Sequence, residues 1–391
     1  MLRILHITES CTARGGGTST AFVEMVEALR TQPALCEVAA CTQTIPHDDQ
    51  VRTWIASHGP GTWLFTPPPG RVSTAGMFNA LRAKIDSWSP SIVCIHGLWC
   101  TDVVAAAAHA QSRSIPVVWH PHGMLVHAAL RRARLKKALF KALWLSHTLR
   151  RASACVFTSE NERGTSNLSL LSPRTARVVL PLPVHIDTPE SDLPALRAQG
   201  RAALGLADTA PLVSFIGRLH PVKRVDLSLA ALAHAHALGT PAHLVLIGSG
   251  EEPYVNTLRA QAASLGIAKH LTFAGWKNGR DKLAILAAAD AMILNSEFEN
   301  FGYAIVESLA LGTPVVASDN LSLGPDLARI GAGWCVSATA PILGAAINTA
   351  LHTPPDRRRA MGRAGRRWVI DSFSRASVGT QMVALYRSLL A

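Results

Sequence analysis

Short runs of β-branched and other apolar residues alternate with longer Ala- and Leu-rich stretches along the whole chain. That alternation predicts an α/β protein with mostly parallel sheets. In the first half the runs predict strands at Arg3–Thr8, Cys36–Cys41, Ile92–His96, Pro116–His120, Ala154–Thr158 and Arg177–Leu180. Between the first two strands, Ala21, Phe22, Met25, Val26 and Leu29 recur at helical spacing, so Thr18–Arg30 reads as a helix. Four prolines then fall within PLPVHIDTPESDLP, residues 181–194, and mark a linker. Beyond it the alternation starts again, with strands predicted over 212–217, 244–248, 271–275, 291–295 and 314–318. The expected architecture is two Rossmann-like domains, residues 1–185 and 186–370, whose mostly parallel sheets face a central cleft. The amphipathic segment 371–391 is expected to pack back as a helix on the N-terminal domain. Ligands of open α/β sheets bind beyond the carboxyl ends of the strands.

The bulk numbers narrow the class. A length of 391 residues suits two or three domains, and 48% hydrophobic content supports sizeable cores. No apolar run reaches the ~18 residues of a membrane-spanning helix. The opening MLRILHITES reads as a first strand rather than a signal peptide. Seven cysteines without a C-x-x-C pair argue for reduced thiols in an intracellular protein and against zinc.

The formal charge of +12 is unevenly spread. From Val103 to Ser159 there is no Asp or Glu, whereas Arg131, Arg132, Arg134, Lys136, Lys137 and Lys141 all fall there. A second run from Arg357 to Arg367 holds six arginines. Such clusters suit a polyanion or an anionic membrane face, or form a solvated basic surface with no partner. Arg134, Lys137 and Lys141 share a helical face with Leu130, so contact with a membrane is expected to be chiefly electrostatic.

The stretch SEFENFGYAIVESLALGTPVVASD, from Ser296 to Asp319, poses a chemical question. Glu307 sits inside a predicted helix whose neighbouring turns offer Tyr303, Ala304, Ala310 and Leu311, and the stretch contains no basic residue. An ionised carboxylate there needs a partner, supplied by a distant part of the fold or by a ligand. Nearby strand ends carry further polar groups. FIGRLHPVKR places Arg218 and Lys223 just after a strand, where two cations can clamp phosphates. Gly248, Gly250 and Gly275 permit close backbone approach, and the helix that begins near Phe301 turns its first amides, in ENFGY, towards an anion. Together these groups suit a diphosphate, with Glu307 accepting hydrogen bonds from ribose hydroxyls and Glu299 lying further out.

This constellation resembles the GT-B glycosyltransferases, and within them the large retaining family 4. The resemblance covers nearly the whole chain. It rests on E-x7-E, here Glu299 to Glu307, on Gly217, Arg218 and Lys223, and on the glycine loop GGGTST at 15–20. WHPHGMLVHAAL is similar to the H-G-M-L loop of members that assemble bacterial surface polysaccharides. The resemblance implies that the N-terminal domain binds the acceptor and the C-terminal domain binds a nucleotide sugar, UDP- or GDP-linked. Arg218 and Lys223 would hold the diphosphate, with the Asn300, Phe301 and Gly302 region beside it, and Glu307 the ribose. Glu299 and His122 would meet the transferred sugar as catalytic residues, and Gly16 and Gly17 would approach the donor. His120 and His127 compete with His122 for that place, and His96 reads as an acceptor-side or structural residue. Gly15, Gly16 and Gly17 are contiguous, which departs from the G-x-G-x-x-G fingerprint.

The resemblance further implies transfer with retention, no metal and no cofactor, to an oligosaccharide or lipid-diphosphate-linked acceptor in exopolysaccharide or O-antigen synthesis. With the basic N-terminal region it implies a cytoplasmic protein peripheral on the inner face of the membrane. A nucleotide-sugar epimerase or a phosphorylase on the same architecture is the nearest alternative. A nucleic-acid-binding protein would use the same charge, but no recognised motif supports one. No nucleic-acid partner is therefore expected.

Overall fold

The computed structural model describes residues 1–10, 17–43, 62–65, 74–131 and 133–391. The chain forms two compact units, Met1–His185 joined by Phe373–Ala391, and Ile186–Ser372.

The first unit is built on seven parallel strands in the order β3-β2-β1-β4-β5-β6-β7. They are β1 (Leu2–Ser10), β2 (Cys36–Gln43), β3 (Thr62–Phe65), β4 (Ile92–His96), β5 (Val117–His120), β6 (Ala154–Phe157) and β7 (Ala176–Val179). Period-two alternation sorts their side chains. Leu5, Ile7, Val93, Ile95, Val117 and Trp119 share one core with Met77, Leu81 and Ile85 of the helix Thr74–Trp88, and with Val103 and Ala107 of Thr101–Ser112. Residues one step out of phase, His6 and Cys94 among them, belong to the other face. There the Cys94 Sγ–H donates to the Tyr386 hydroxyl, 3.3 Å away in the C-terminal helix Arg375–Ser388. That helix also packs on the helix Gly17–Arg30. A Cβ on Gly379 would fall 2.2 Å from the Ala28 carbonyl oxygen, and Arg375 grips both Glu24 oxygens at 2.7 and 2.8 Å.

The second unit carries six parallel strands in the order β10-β9-β8-β11-β12-β13. They are β8 (Leu212–Ile216), β9 (His243–Ile247), β10 (Leu271–Gly275), β11 (Ala291–Leu294), β12 (Val315–Ser318) and β13 (Gly333–Val336). Both sheets reverse their strand order once, between β1 and β4 and between β8 and β11. At such a switch point adjacent connections leave in opposite directions and open a crevice at the carboxyl ends.

Three differences from the sequence reading stand out. The short edge strands β3 and β13 are additional to the predicted set. Pro194 opens a helix, Leu193–Ala203, instead of extending the linker, because proline at the first helical turn loses no hydrogen bond. Gly248 and Gly250 give close approach between two loops of the protein itself. A Cβ on either would lie 1.9 Å from the Gly217 carbonyl oxygen or 2.1 Å from that of Leu219.

Candidate functional site

In the second unit the chain just after β8 and just after β11, on either side of the switch point, carries Arg218, Lys223, Glu299 and the Asn300–Gly302 segment. After β8 the chain turns through Pro221–Lys223, where His220 Nδ1 accepts from the Val222 amide at 3.2 Å. Arg224 then adopts a left-handed conformation, φ +49°, and starts the helix Val225–Ala237. The loop after β11 is tied to this turn by the Glu297 amide, which donates to the Val222 carbonyl at 2.9 Å. Asn295, buried, donates to the Arg224 carbonyl at 2.9 Å and accepts from Ser228 Oγ at 2.6 Å. So braced, Lys223 Nζ reaches Glu299 Oε1 at 2.6 Å, and Ser296 Oγ donates to the same oxygen at 2.7 Å. Arg218 lies exposed on the β8 side.

Glu307 finds its partner in a distant part of the fold. Lys282, on the helix Gly279–Ala288, places Nζ 3.0 Å from Glu307 Oε1. Between the two carboxylates, Phe301 is buried with its ring edge-on to Tyr303. Gly302, φ +92°, caps the helix Tyr303–Ala310, a conformation a residue with a Cβ resists. Of the first amides of that helix, that of Ile305 donates to the Gly302 carbonyl at 2.9 Å. The unit thus presents two cation–carboxylate pairs, one joining the turn after β8 to the loop after β11 and one joining the helices Gly279–Ala288 and Tyr303–Ala310.

In the first unit the loop candidates separate. His127 is exposed at the start of the helix His127–Arg131. His120 and His122 are buried, together with His6 and His96. Strand register explains the gathering. Cys94 pairs with His6, and His96 with His120, so residues of equal phase on β1, β4 and β5 share one face. His6 Nδ1 lies 2.8 Å from His96 Nε2, and His96 Nδ1 lies 2.9 Å from His122 Nε2. His120 stacks on His96 with ring centroids 4.7 Å apart. Burial pushes His6 down to about 3 and His122 to about 4. His96 and His120 fall well below the usual range, first through burial and then through their imidazole neighbours. All four rings are therefore neutral at neutral pH. Among the described residues no three His, Cys, Asp or Glu side chains are grouped to hold a metal ion.

Gly17 opens the helix Gly17–Arg30, whereas Gly16 lies outside the described residues. Lys282 and Ser296 escaped the motif reading, as did His6, hidden in a segment that reads as an ordinary strand. The signal for His6 is its phase: register puts it two positions from His96 on the same face.

Residues 197–368 match the family described as glycosyl transferases group 1, and residues 16–183 match a glycosyl transferase 4-like domain. The chain belongs to the group 1 glycosyltransferases. This glycosyltransferase is 31% identical over 240 residues to the D-inositol 3-phosphate glycosyltransferase of Segniliparus rotundus. That match takes in 59% of this chain and about half of the relative, 53%. A protein of the same description from Jonesia denitrificans is 26% identical over 96% of the chain and 92% of its own length. Among solved structures, Anabaena Alr3699/HepE in complex with UDP and glucose aligns with a TM-score of 0.77 at 19% identity. The alignment covers 99% of the glycosyltransferase and 100% of HepE, and establishes the shared GT-B fold.

Proposed function

We propose that this glycosyltransferase moves a sugar from a UDP- or GDP-sugar to a hydroxyl acceptor with retention of configuration and without a metal. The observation that carries the reading is the pairing of Lys223 with Glu299, across the loops after β8 and β11, together with that of Lys282 with Glu307. Departure of the nucleoside diphosphate builds negative charge. Arg218, Lys223 and the amides around Phe301 and Gly302 stabilise it electrostatically. Glu307 accepts from the ribose, and Glu299 orients the sugar through the oxygen it shares with Lys223 and Ser296. We assign His122 to the transferred sugar, where a neutral ring does not oppose the positive charge that develops at the anomeric carbon. The acceptor hydroxyl is deprotonated with help from the leaving phosphate. UDP and glucose in the HepE structure support a nucleotide-sugar donor.

The acceptor is a glycan or a lipid-diphosphate-linked oligosaccharide of bacterial exopolysaccharide or O-antigen synthesis. One surface supports a peripheral position on the inner face of the cytoplasmic membrane. Leu135, Leu139, Leu143 and Trp144 are 86%, 61%, 60% and 47% exposed, along the helical run from Arg134–Phe140 to Ser146–Arg150. Exposed Arg131, Arg134 and Lys136 accompany them. Lys137 instead folds inwards, donating to the Ala129 carbonyl at 2.6 Å and lying over the Trp99 ring. The apolar ridge adds insertion to the electrostatic attachment expected from charge alone. Among the described residues no helix is long and apolar enough to cross a membrane. The names of the inositol phosphate relatives favour a second reading, a soluble phosphorylated polyol as acceptor.

Calorimetric titration with UDP, GDP and ADP tests the donor site. One nucleoside diphosphate is expected to bind selectively, and Glu307→Ala to weaken it about tenfold or more, the scale of a lost hydrogen bond to a charged group. Absence of binding by all three to folded protein would remove the diphosphate role of Lys223 and Arg218.

A further inference from the structure

The sequence SENE, Ser159 to Glu162, has the spacing of a capping box. In such a box a serine and a glutamate three residues on satisfy each other's amides at a helix start. Half of the box is in place: Ser159 Oγ accepts from the Glu162 amide at 3.1 Å and caps the helix Glu160–Thr165. The Glu162 carboxylate reaches beyond the cap. Its Oε2 accepts from the Thr158 amide and hydroxyl, at 2.7 Å each, just past the end of β6. Its Oε1 accepts from the Gly123 amide, past the end of β5. One oxygen thus serves each strand end.

That bridge goes further than a helix cap requires. Glu162 is 3% exposed, and the groups that meet its carboxylate are neutral N–H and O–H donors. Burial raises its carboxyl, and the same hydrogen bonds oppose the rise. A buried carboxylate with no cation beside it is costly. A glutamine at this position would complete an ordinary capping box without a buried charge. What a glutamine lacks is the second acceptor oxygen.

The segment it grips is strained. Pro121–Met124 closes as a turn, with the Met124 amide donating to the Pro121 carbonyl at 3.0 Å. Both central residues are left-handed, His122 at φ +49° and Gly123 at φ +80°. Turns of that kind favour Gly, Asn or Asp, and a histidine persists there only where its surroundings enforce it. Glu162 holds the backbone beside the strained residue, while His96 Nδ1 lies 2.9 Å from the His122 ring. The far end of the loop is anchored separately. There the Asn167 amide donates to the Leu125 carbonyl at 2.8 Å, and Val126 pairs with Ser166. Loss of the carboxylate bridge would free the turn and leave the rest of the loop seated.

We propose that Glu162 is a positioning residue whose carboxylate, shared between Thr158 and Gly123, fixes the Pro121–Met124 turn and with it the place of His122. The bridge belongs to the unliganded chain, whereas its effect on turnover rests on the glycosyltransfer reading above. Glu162→Gln separates the two oxygens. The variant is nearly isosteric, but its amide nitrogen must face the N–H of either Gly123 or Thr158, donor against donor.

The test has two arms. In the full 15N-labelled chain without substrate, the Gly123 and Thr158 amide protons are expected downfield and slow to exchange. In Glu162→Gln one of the two is expected to move upfield and exchange about tenfold faster, with the Asn167 amide unchanged. No change at either amide overturns the bridge, whatever the enzyme transfers. In the second arm Glu162→Gln is expected to lower kcat about tenfold, the loss of one charge-assisted bond, with donor KM and nucleoside diphosphate affinity little changed. His122→Asn supplies the background for a cycle, because asparagine tolerates the left-handed turn. There Glu162→Gln is expected to cost almost nothing more, since both changes act through one group. Losses that multiply, or an unchanged kcat in the folded single variant, reduce Glu162 to a helix cap and overturn the positioning role. Should the Gln variant not fold, Glu162→Asp, which withdraws the carboxylate by one methylene, carries the same expectations. If wild type turns over no nucleotide sugar while the amides respond as stated, the glycosyltransfer reading fails and the bridge stands.

Discussion

Glu307 has a partner among its apolar neighbours: Lys282 meets it from another helix, at 3.0 Å. With side chains 22% and 24% exposed, the pair contributes about 1 kcal/mol or less to folding. In the proposed donor site its value would lie in orientation, since Lys282 holds one oxygen of the carboxylate and leaves the other for a ribose hydroxyl. Lys282→Met is expected to leave the melting midpoint nearly unchanged. It should weaken nucleoside diphosphate binding by about tenfold in calorimetry, the loss of one oriented charge-assisted bond. Unchanged affinity would reduce the pair to a surface contact. Sequence carried half of this. The apolar surroundings announced that Glu307 needed a partner, but a lysine 25 positions earlier on a separate helix has no local pattern linking it to Glu307. The same holds for His6, whose partner His96 lies 90 residues away and is brought near by strand pairing alone.

At the scale of elements, buried strands with dense β-branched runs were legible almost to the residue. Ile92–His96 coincides with its predicted span, and so does the half-buried edge strand Leu271–Gly275. β13 escaped because it opens on Gly333, where a Cβ would fall 2.1 Å from the Val315 carbonyl oxygen. A residue chosen for closeness to a neighbouring strand weakens the local strand signal. The helical run after His127 misled in another way. The shared face with Leu130 assumed one continuous helix, yet Ala133, left-handed at φ +51°, breaks it before Arg134, and along the renewed helical run Leu135, Leu139 and Leu143 stand outward. Leu139→Glu is expected to cut binding to anionic vesicles several-fold in a sedimentation assay, since it removes an inserting apolar group and adds repulsion. Sensitivity to salt with no effect of this substitution would return the surface to a purely electrostatic role.

At the scale of the whole molecule, the buried histidines couple stability to pH. Their folded-state values lie far below the ~6.5 of an exposed histidine. As pH falls below that value the unfolded chain takes up protons that the folded chain refuses, so stability drops between about pH 7 and 4. Each ring contributes roughly 1 kcal/mol per pH unit in that window. Asp102 acts in the opposite sense. Burial, then Glu9, raises its carboxyl to about 6, so between about pH 4 and 6 the folded chain holds a proton that the unfolded chain has released. Urea midpoints are expected to fall from pH 7.5 to pH 5.5, and His120→Phe to reduce that fall by about one proton's share. An unaltered pH slope in the variant would mean that His120 is charged in the fold.

The first unit is assembled from two pieces of chain with the whole second unit encoded between them. During synthesis, residues 186–372 can fold as soon as they leave the ribosome, each contact needing only chain already made. The earlier sheet must wait. Until Tyr386 and Gly379 arrive, Cys94 lacks its partner and the helix Gly17–Arg30 has one flank open to water. Apolar surface that persists through translation is what chaperones bind and what aggregation exploits. The order of completion therefore runs against the order of encoding: the half made first is finished last.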